Sequence, residues 1–394
     1  QDAAIATILQ QNTLRYSGLE SGLCAFFGVD PLFGTSSRLT TLDLSGNALG
    51  DDGIFNMARS TMAYARPYTT HAPELKRFML RNVQMTVVAI NALITFLSAR
   101  KVKQLDLSGN RGIGPAGAAL LFEYCRYAPS TGQKSSKQQQ QQQQQGSHLE
   151  VLVLCDINLA IVPPYRGRVD NIDNRIDYGA GGGASSGLNN NTVGGINLIN
   201  YEGDVLPASS SSSEQGYQDG TLQRLHQSIR GMLASEESAL YSLDVSSNSL
   251  DPTTFTTFQK AACKSRSVVH LKLGDTQLTR EVAFDVLPGL LNSSECNLQA
   301  LDVSLNQMCG VRLTSFDPRP VQSFAEQLIK NKSLQYLNMS GSDIGARSTR
   351  KLFEALTGAS PDALASPLRA LKLDNCNCSE DGGEHVGESL PDLF

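Results

Sequence analysis

A short apolar frame, L-x-x-L-x-L-x-x-N-x-L, recurs along this chain and limits its fold more than any other feature. Its clearest copy is Leu39-Thr-Thr-Leu42-Asp-Leu44-Ser-Gly-Asn47-Ala-Leu49. The frame returns at Val102/Leu105/Leu107/Asn110, at Leu240/Leu243/Val245/Asn248/Leu250 and at Leu298/Leu301/Val303/Asn306/Met308. Weaker copies replace the Asn: Leu75/Phe78/Leu80/Val83/Met85, Leu149/Leu152/Leu154/Ile157/Leu159 and Val268/Leu271/Leu273/Thr276/Leu278. Leu334/Leu337/Met339/Ser342/Ile344 and Leu368/Leu371/Leu373/Cys376/Cys378 complete a set of nine. Alternation around L-x-L specifies a short strand with one buried face. The Asn then turns the chain out of the strand, its amide bonding backbone groups of the neighbouring turn. Helix-like stretches follow, such as Val87 to Leu97, Pro115 to Phe122, and the segment that Asp251-Pro252 opens ahead of Phe255 and Phe258. Proline suits the first helical position. One such unit cannot bury its own apolar side, so the copies must stack.

The second apolar position of each frame falls at 42, 78, 105, 152, 243, 271, 301, 337 and 371, and the shortest steps are 27, 28 and 30 residues. That period accommodates one strand and one full helix per copy. The expected fold is an α/β leucine-rich repeat solenoid, a horseshoe with parallel strands on its concave face and helices on its convex face. Copies 1–3 occupy residues 39–130, copy 4 residues 148–160 and copies 5–9 residues 221–379. Residues 131–147, with eight consecutive glutamines, and 161–220, rich in Gly, Ser and Asn, lack the apolar content of a packed core and are expected to be disordered loops. The longer gap also has room for a degenerate repeat near Ile196-Asn-Leu198, and helical spacing resumes at Leu222, Leu225, Ile229 and Leu233. Residues 1–38 are expected to be a helical piece or degenerate repeat with Leu23, Phe26 and Phe27 on its apolar face, and 380–394 an acidic tail. With no polar capping unit there, and with Gln1 opening the chain, the sequence is expected to be a fragment or processed product of a longer array.

Composition narrows the function. Thirty-three basic against 38 acidic residues give a net charge of -5, the wrong balance for the dense basic face that nucleic acid requires. No apolar run approaches the roughly 20 residues of a membrane span. The eight cysteines are scattered through a chain with ample core, which favours buried free thiols in a reducing, cytoplasmic compartment over a disulfide framework. The five N-x-S/T sequons, at Asn190, Asn292, Asn331, Asn338 and Asn377, are of a number expected in a Ser- and Asn-rich chain.

Motifs that resemble chemistry have plainer readings. Gly112-Ile-Gly114-Pro-Ala-Gly117 matches the dinucleotide fingerprint G-x-G-x-x-G, yet it falls at the frame's own strand-to-helix turn. The acidic residue wanted about 20 positions on is replaced by the glutamine tract. His71, His148, His226, His270 and His385 sit in unrelated segments without metal-ligand spacing. Cys376 and Cys378 occupy columns ordinarily filled by buried side chains. No cofactor, metal site or catalytic residue is expected.

The residues between the buried aliphatics should line the concave face. The central column reads Asp43, Met79, Asp106, Val153, Asp244, Lys272, Asp302, Asn338, Lys372, acids alternating with apolar or basic residues, which keeps like charges two strands apart. Arg77 and Arg81 flank Met79, His270 precedes Leu271, and Tyr336 stands beside Asn338. Aromatic, Arg and Met side chains are enriched in protein interfaces. The candidate partner-binding residues are therefore Arg77, Met79, Arg81, Asp106, Asp244, His270, Lys272, Asp302, Tyr336, Asn338 and Lys372.

The period and frame resemble the ribonuclease-inhibitor-like class of leucine-rich repeats. Within it, Leu39 to Gly53 and the Leu-Asp-Val-Ser stretches at 243 and 301 are similar to repeats of the CARMIL family, scaffolds that regulate actin capping protein. The resemblance implies a non-enzymatic protein-interaction scaffold whose protein partner is an actin regulator. That family's pleckstrin-like domain and basic capping-protein-binding segment are not among these residues, and the long insertions depart from its pattern. The class also contains activators of Ran GTPase, which act through loop residues at the strand ends, and axonemal scaffolds. Arg111 is the arginine nearest such a loop, while Asn47 and Asn110 sit where the turn itself needs them.

Overall fold

The computed structural model describes residues 13–15, 39–64, 75–127, 147–160, 213–291, 296–309, 317–357 and 367–377. The chain divides into two compact units, 1–161 with 221–394, and 162–220. Of the second, residues 213–220 are described, as the first turns of a helix; the repeats belong to the first.

Each frame becomes a three-residue strand: β2 (Thr41–Asp43), β3 (Arg77–Met79), β4 (Gln104–Asp106), β5 (Val151–Val153), β6 (Ser242–Asp244), β7 (His270–Lys272), β8 (Ala300–Asp302), β9 (Tyr336–Asn338) and β10 (Ala370–Lys372). They follow β1 (Thr13–Arg15) in one ten-stranded parallel sheet whose spatial order is the chain order. Register is set by the second apolar column, in which Leu42 pairs with Phe78, Phe78 with Leu105, and so on to Leu337 with Leu371. Every strand from β2 to β9 buries that residue almost completely, because a one-residue slip would turn the entire column to solvent. In β10 the apolar trio Leu368, Leu371 and Leu373 is only partly buried.

Helices return the chain between strands: α1 (Gly50–Tyr64), α2 (Ile90–Arg100), α3 (Gly114–Cys125), α4 (Ser213–Leu233), α5 (Pro252–Ala262), α6 (Arg280–Leu291), α7 (Arg319–Lys330) and α8 (Gly345–Thr357). Helix α2 is preceded by a 3-10 turn at Val87–Ala89 that Thr86 caps. Helix α5 starts with Pro252 behind Asp251, whose carboxylate accepts from the Thr253 and Thr254 amides, as the Asp-Pro pair predicts. Buried aromatics fill the space between strands and helices, Phe78 meeting Phe96 of α2 with ring centroids 5.1 Å apart.

Strand β5 bonds directly to β6, Leu152 opposite Leu243, and the candidate degenerate repeat near Ile196-Asn-Leu198 lies outside the described residues. The helix of copy 4 is α4, whose Leu225, Ile229 and Leu233 are buried as their spacing predicts. Upstream, β1 contributes a strand with Leu14 opposite Leu42; Leu23, Phe26 and Phe27 lie outside the described residues, as do 131–146, 161–212 and 380–394.

The asparagines do more than turn their own strand. Asn110 donates to Leu107 O of its own coil and to Leu80 O of the preceding one, while its Oδ1 accepts from the Val83 and Met85 amides. Asn248 does the same for Ile157 and Leu159, and Asn306 for Thr276 and Leu278. Asn occupies copies 1, 3, 5 and 7, and Asn110, Asn248 and Asn306 each clamp a preceding coil that lacks one. The glycines of the G-x-G-x-x-G match also have structural work. Gly114 has φ +56, and a Cβ at Gly117 would come within 2.7 Å of Ile113.

Candidate protein-binding face

The strand register places the outward residues in columns. The central one runs Asp43, Met79, Asp106, Val153, Asp244, Lys272, Asp302, Asn338, Lys372, each opposite the next. The column before it contains Arg77, Gln104, Val151, Ser242, His270, Ala300 and Tyr336.

Hydrogen bonds explain the acids. Asp106 Oδ1 accepts from the amide and hydroxyl of Ser108, and Asp302 Oδ1 from those of Ser304. Asp43 and Asp244 accept likewise from the Ser45 and Ser246 amides, and Asn338 from that of Ser340. The L-D-L-S wording is thus a local turn cap, in which a short carboxylate holds the amide two residues on.

The second carboxylate oxygens are taken by the neighbouring coil. Lys272 Nζ lies 3.1 Å from Asp244 Oδ2, Asn338 Nδ2 donates to Asp302 Oδ2 at 2.8 Å, and Arg81 Nε lies 3.6 Å from Asp106 Oδ2. Alternation therefore leaves room for Asp106, Asp244 and Asp302 each to meet a donor of the neighbouring coil, as well as separating like charges. Asp244, 8% exposed, is the most deeply held; the Cys155 thiol also donates to it, at 3.2 Å. Burial lowers the affinity of the Lys272 ammonium for its proton, and Asp244 outweighs that, so its pKa stands above the ordinary value. Burial pushes the Cys155 thiol up to about 12, with Asp244 adding to the effect, which keeps it protonated and a poor nucleophile. Cys125 and Cys309 are likewise raised to about 12 by burial.

Of the eleven candidates, six are thus engaged with one another across strands: Arg81, Asp106, Asp244, Lys272, Asp302 and Asn338. The Lys372 ammonium sits 5.7 Å above the Tyr336 ring. His270 meets Tyr241 edge-on at 5.5 Å, and its pKa is lowered by burial and by Lys272. Arg77 and Met79 remain on β3, Arg77 exposed and Met79 half-buried.

Further outward residues escape a reading of the frame alone. Tyr241 precedes β6 and is 37% exposed. Leu305, 63% exposed, holds φ 56 at a turn position where other copies place Gly, Asn, Asp or Ser; that departure is its sequence signal. Arg111, at the turn after β4, is held by Asp156 at 2.8 Å. On the helical side, an open cleft of about 340 Å³ is lined by Arg280, Glu281, Phe284, Asp317 and Arg319, where Arg319 pairs with Asp317 at 2.8 Å.

A parallel sheet built from one apolar frame, with its columns in register, defines a leucine-rich repeat solenoid. The chain is a leucine-rich repeat protein, and the family pattern described as Leucine Rich repeat matches residues 35–58, 98–122 and 330–349. No curated protein sequence matches it. Among solved structures it is similar to the tropomodulin C-terminal domain of Caenorhabditis elegans, at 16% identity over 43% of this chain and 92% of that one, with a TM-score of 0.32. It is similar also to the leucine-rich repeat-containing protein LegL7 of Legionella pneumophila, at 11% identity, coverages of 97% and 90%, and a TM-score of 0.42. An internalin of Listeria monocytogenes, InlF, gives 11% identity, coverages of 93% and 74%, and a TM-score of 0.32.

Proposed function

We propose that this chain is a non-enzymatic scaffold that binds a protein partner across the outward face of its sheet. One observation carries the reading. The inward columns and the asparagines supply the packing and the turn bonds, so the residues around them can vary to suit a ligand without unfolding the array. Aromatic, thioether and cationic side chains occupy several of those positions, among them Arg77, Met79, Tyr241 and Tyr336. In the finer reading, the protein belongs to the ribonuclease-inhibitor-like class and organises actin regulators in the cytoplasm. The 27- to 30-residue steps and the wording of Leu39 to Gly53 support that reading. Six described cysteines are free thiols, five of them buried, which agrees with a reducing compartment.

The test is co-precipitation from lysate with the full chain and with a Val151→Arg/Tyr336→Asp variant of the same melting temperature, followed by mass spectrometry. Partners held by the parent and lost by the variant are expected. Identical catches would refute the sheet face as the binding surface, and face-dependent partners without actin regulators would remove the finer reading. Phosphate release from small GTPases, measured alongside, distinguishes the activator alternative: acceleration of about a hundredfold or more, the scale at which an arginine finger operates, would overturn the non-enzymatic reading.

A further inference from the structure

The charge of the outward face is uneven, and its most basic part lies where β3 and β4 begin. Gln104 N donates to Lys76 O, and the Glu150 amide donates to Lys103 O, so Lys76, Lys103 and Glu150 follow one another across adjacent strands. Arg77 stands next to Lys76 on β3. Lys101, in the left-handed conformation that ends α2, adds a fourth cation at the same end of β4. Lys76, Arg77 and Lys101 are exposed, and none meets an acid among the described residues. The one carboxylate in the cluster, Glu150, pairs with Lys103 at 3.0 Å. Elsewhere on the face the pattern differs: Lys272 is matched to Asp244 and Lys372 rests on Tyr336. On a chain whose net charge is -5, Lys76, Arg77 and Lys101 form a local group of exposed cations at the starts of two neighbouring strands, with Lys103 beside them held by Glu150.

We propose that this cluster docks an acidic peptide segment of a partner protein, with Met79, two residues along β3 from Arg77, seating an apolar side chain of that segment. The proposal rests on the protein-binding reading above and names the chemistry of the partner at one part of that face. Two features favour a peptide over a bilayer. The cations are spread over two strands roughly 4.8 Å apart, a spacing that suits carboxylates repeated along a chain. Farther along β3, between Asp43 and Asp106 in the register, the half-buried Met79 thioether offers a seat for one side chain rather than for an acyl layer. Exposed charges of this kind act chiefly through attraction at a distance and through choice of partner.

The experiment uses the full chain and a fluorescein-labelled octapeptide of alternating Glu and Leu, with a Gln-Leu octapeptide as the uncharged control, read by fluorescence anisotropy. The acidic peptide is expected to bind and the control not to. Affinity should fall as salt rises from about 0.05 M to about 0.3 M, where the screening length drops below roughly 8 Å. The double reversal Lys76→Glu/Arg77→Glu should weaken binding about tenfold or more. The exchange Lys76→Arg/Arg77→Lys should retain binding, and so should Lys332→Glu, which alters an exposed cation elsewhere. Because these side chains are exposed, melting temperatures are expected to stay unchanged. Equal binding by the reversal variant, or equal binding of the Gln-Leu peptide, would overturn the proposal. So would phosphatidylserine vesicles being captured in a Lys76- and Arg77-dependent way while the acidic peptide is ignored. Failure here alongside face-dependent partners in the lysate experiment would remove this inference alone.

Discussion

The asparagine clamp makes a sharp prediction at Asn306. Its side chain is 1% exposed; Oδ1 accepts from Thr276 N at 3.1 Å and Leu278 N at 3.0 Å, and Nδ2 donates to Leu273 O at 2.8 Å and Val303 O at 3.0 Å. Replacement by Ala removes these bonds, together with the Nδ2 donation to Ser304 O at 3.2 Å and the Thr276 hydroxyl's longer donation to Oδ1 at 3.4 Å, but the losses are unequal. Leu273 O still accepts from the Thr276 hydroxyl at 2.7 Å, and Val303 O from the Ser342 hydroxyl at 3.2 Å. The two amides of the preceding turn have no such substitute, and a buried donor left unpaired costs about 1–3 kcal/mol. Asn306→Ala should therefore destabilise by about 2–5 kcal/mol. Asn306→Ser should recover part of that. Ser342 shows what a hydroxyl achieves in this column, accepting from Asn306 N at 3.3 Å while donating to Val303 O. Urea unfolding followed by circular dichroism gives the free energies, and amide exchange gives the location. Protection should fall at Thr276 and Leu278 and hold at β3 and β4, because coils contact only their neighbours. A loss under about 1 kcal/mol for Asn306→Ala, or unchanged protection at those two amides, would refute the clamp.

Leu301→Ala, in the fully buried second column, should cost about 2–5 kcal/mol in the same urea titration, with Leu105→Ala alike, since each leaves a cavity between two coils. Deleting Lys134 to Gly146 should change stability by about 1 kcal/mol or less, because loop length enters only logarithmically; Ser147 N already bonds Tyr127 O at 2.6 Å across the base of that segment. A large drop in melting temperature on deletion would show the segment to be packed. His226, 2.8 Å from the Thr254 hydroxyl, has its pKa lowered by burial, with Asp251 opposing the effect. The unfolded chain then binds the proton more readily, so this group's contribution is intact above the ordinary histidine pKa and is lost as pH falls through the lowered one. Thermal melts from pH 7.5 to about 5 should fall more steeply for the parent than for His226→Gln, and parallel curves would refute the linkage.

Strand centres, strand register and most helix positions were legible in the sequence because a period-two apolar frame has one way to bury its face. Leu42, Phe78 and Leu105 announce their alignment wherever the intervening chain goes. Strand β1 was not legible, since Thr13-Leu14-Arg15 carries no full frame and is recognised by what it pairs with. The outward face was legible as a set of positions and not as a set of partners. Asp244 and Lys272 are 28 residues apart in sequence and 3.1 Å apart in space, and only the register converts one separation into the other. Likewise Lys101 comes from the end of a helix and Lys76 from the residue before β3, so no single periodicity groups them.

The placement of the long insertions follows from the clamp. Strand β5 is reached and left through the two longest intervals between frames, and its own coil has Ile157 where an Asn would stand. A coil so interrupted gains little order from chain connectivity and must be held by its neighbours. Asn248 supplies that from the next coil, accepting from the Ile157 and Leu159 amides and donating to Leu154 O at 2.7 Å. From the other side, the Glu150 and Val151 amides donate to Lys103 O, which fixes where β5 begins. Insertions on either flank therefore leave the register of Leu152 unchanged. The outward residues of β5, Val151 and Val153, stay in line with the rest of the face, and the array can carry long insertions without breaking the sheet.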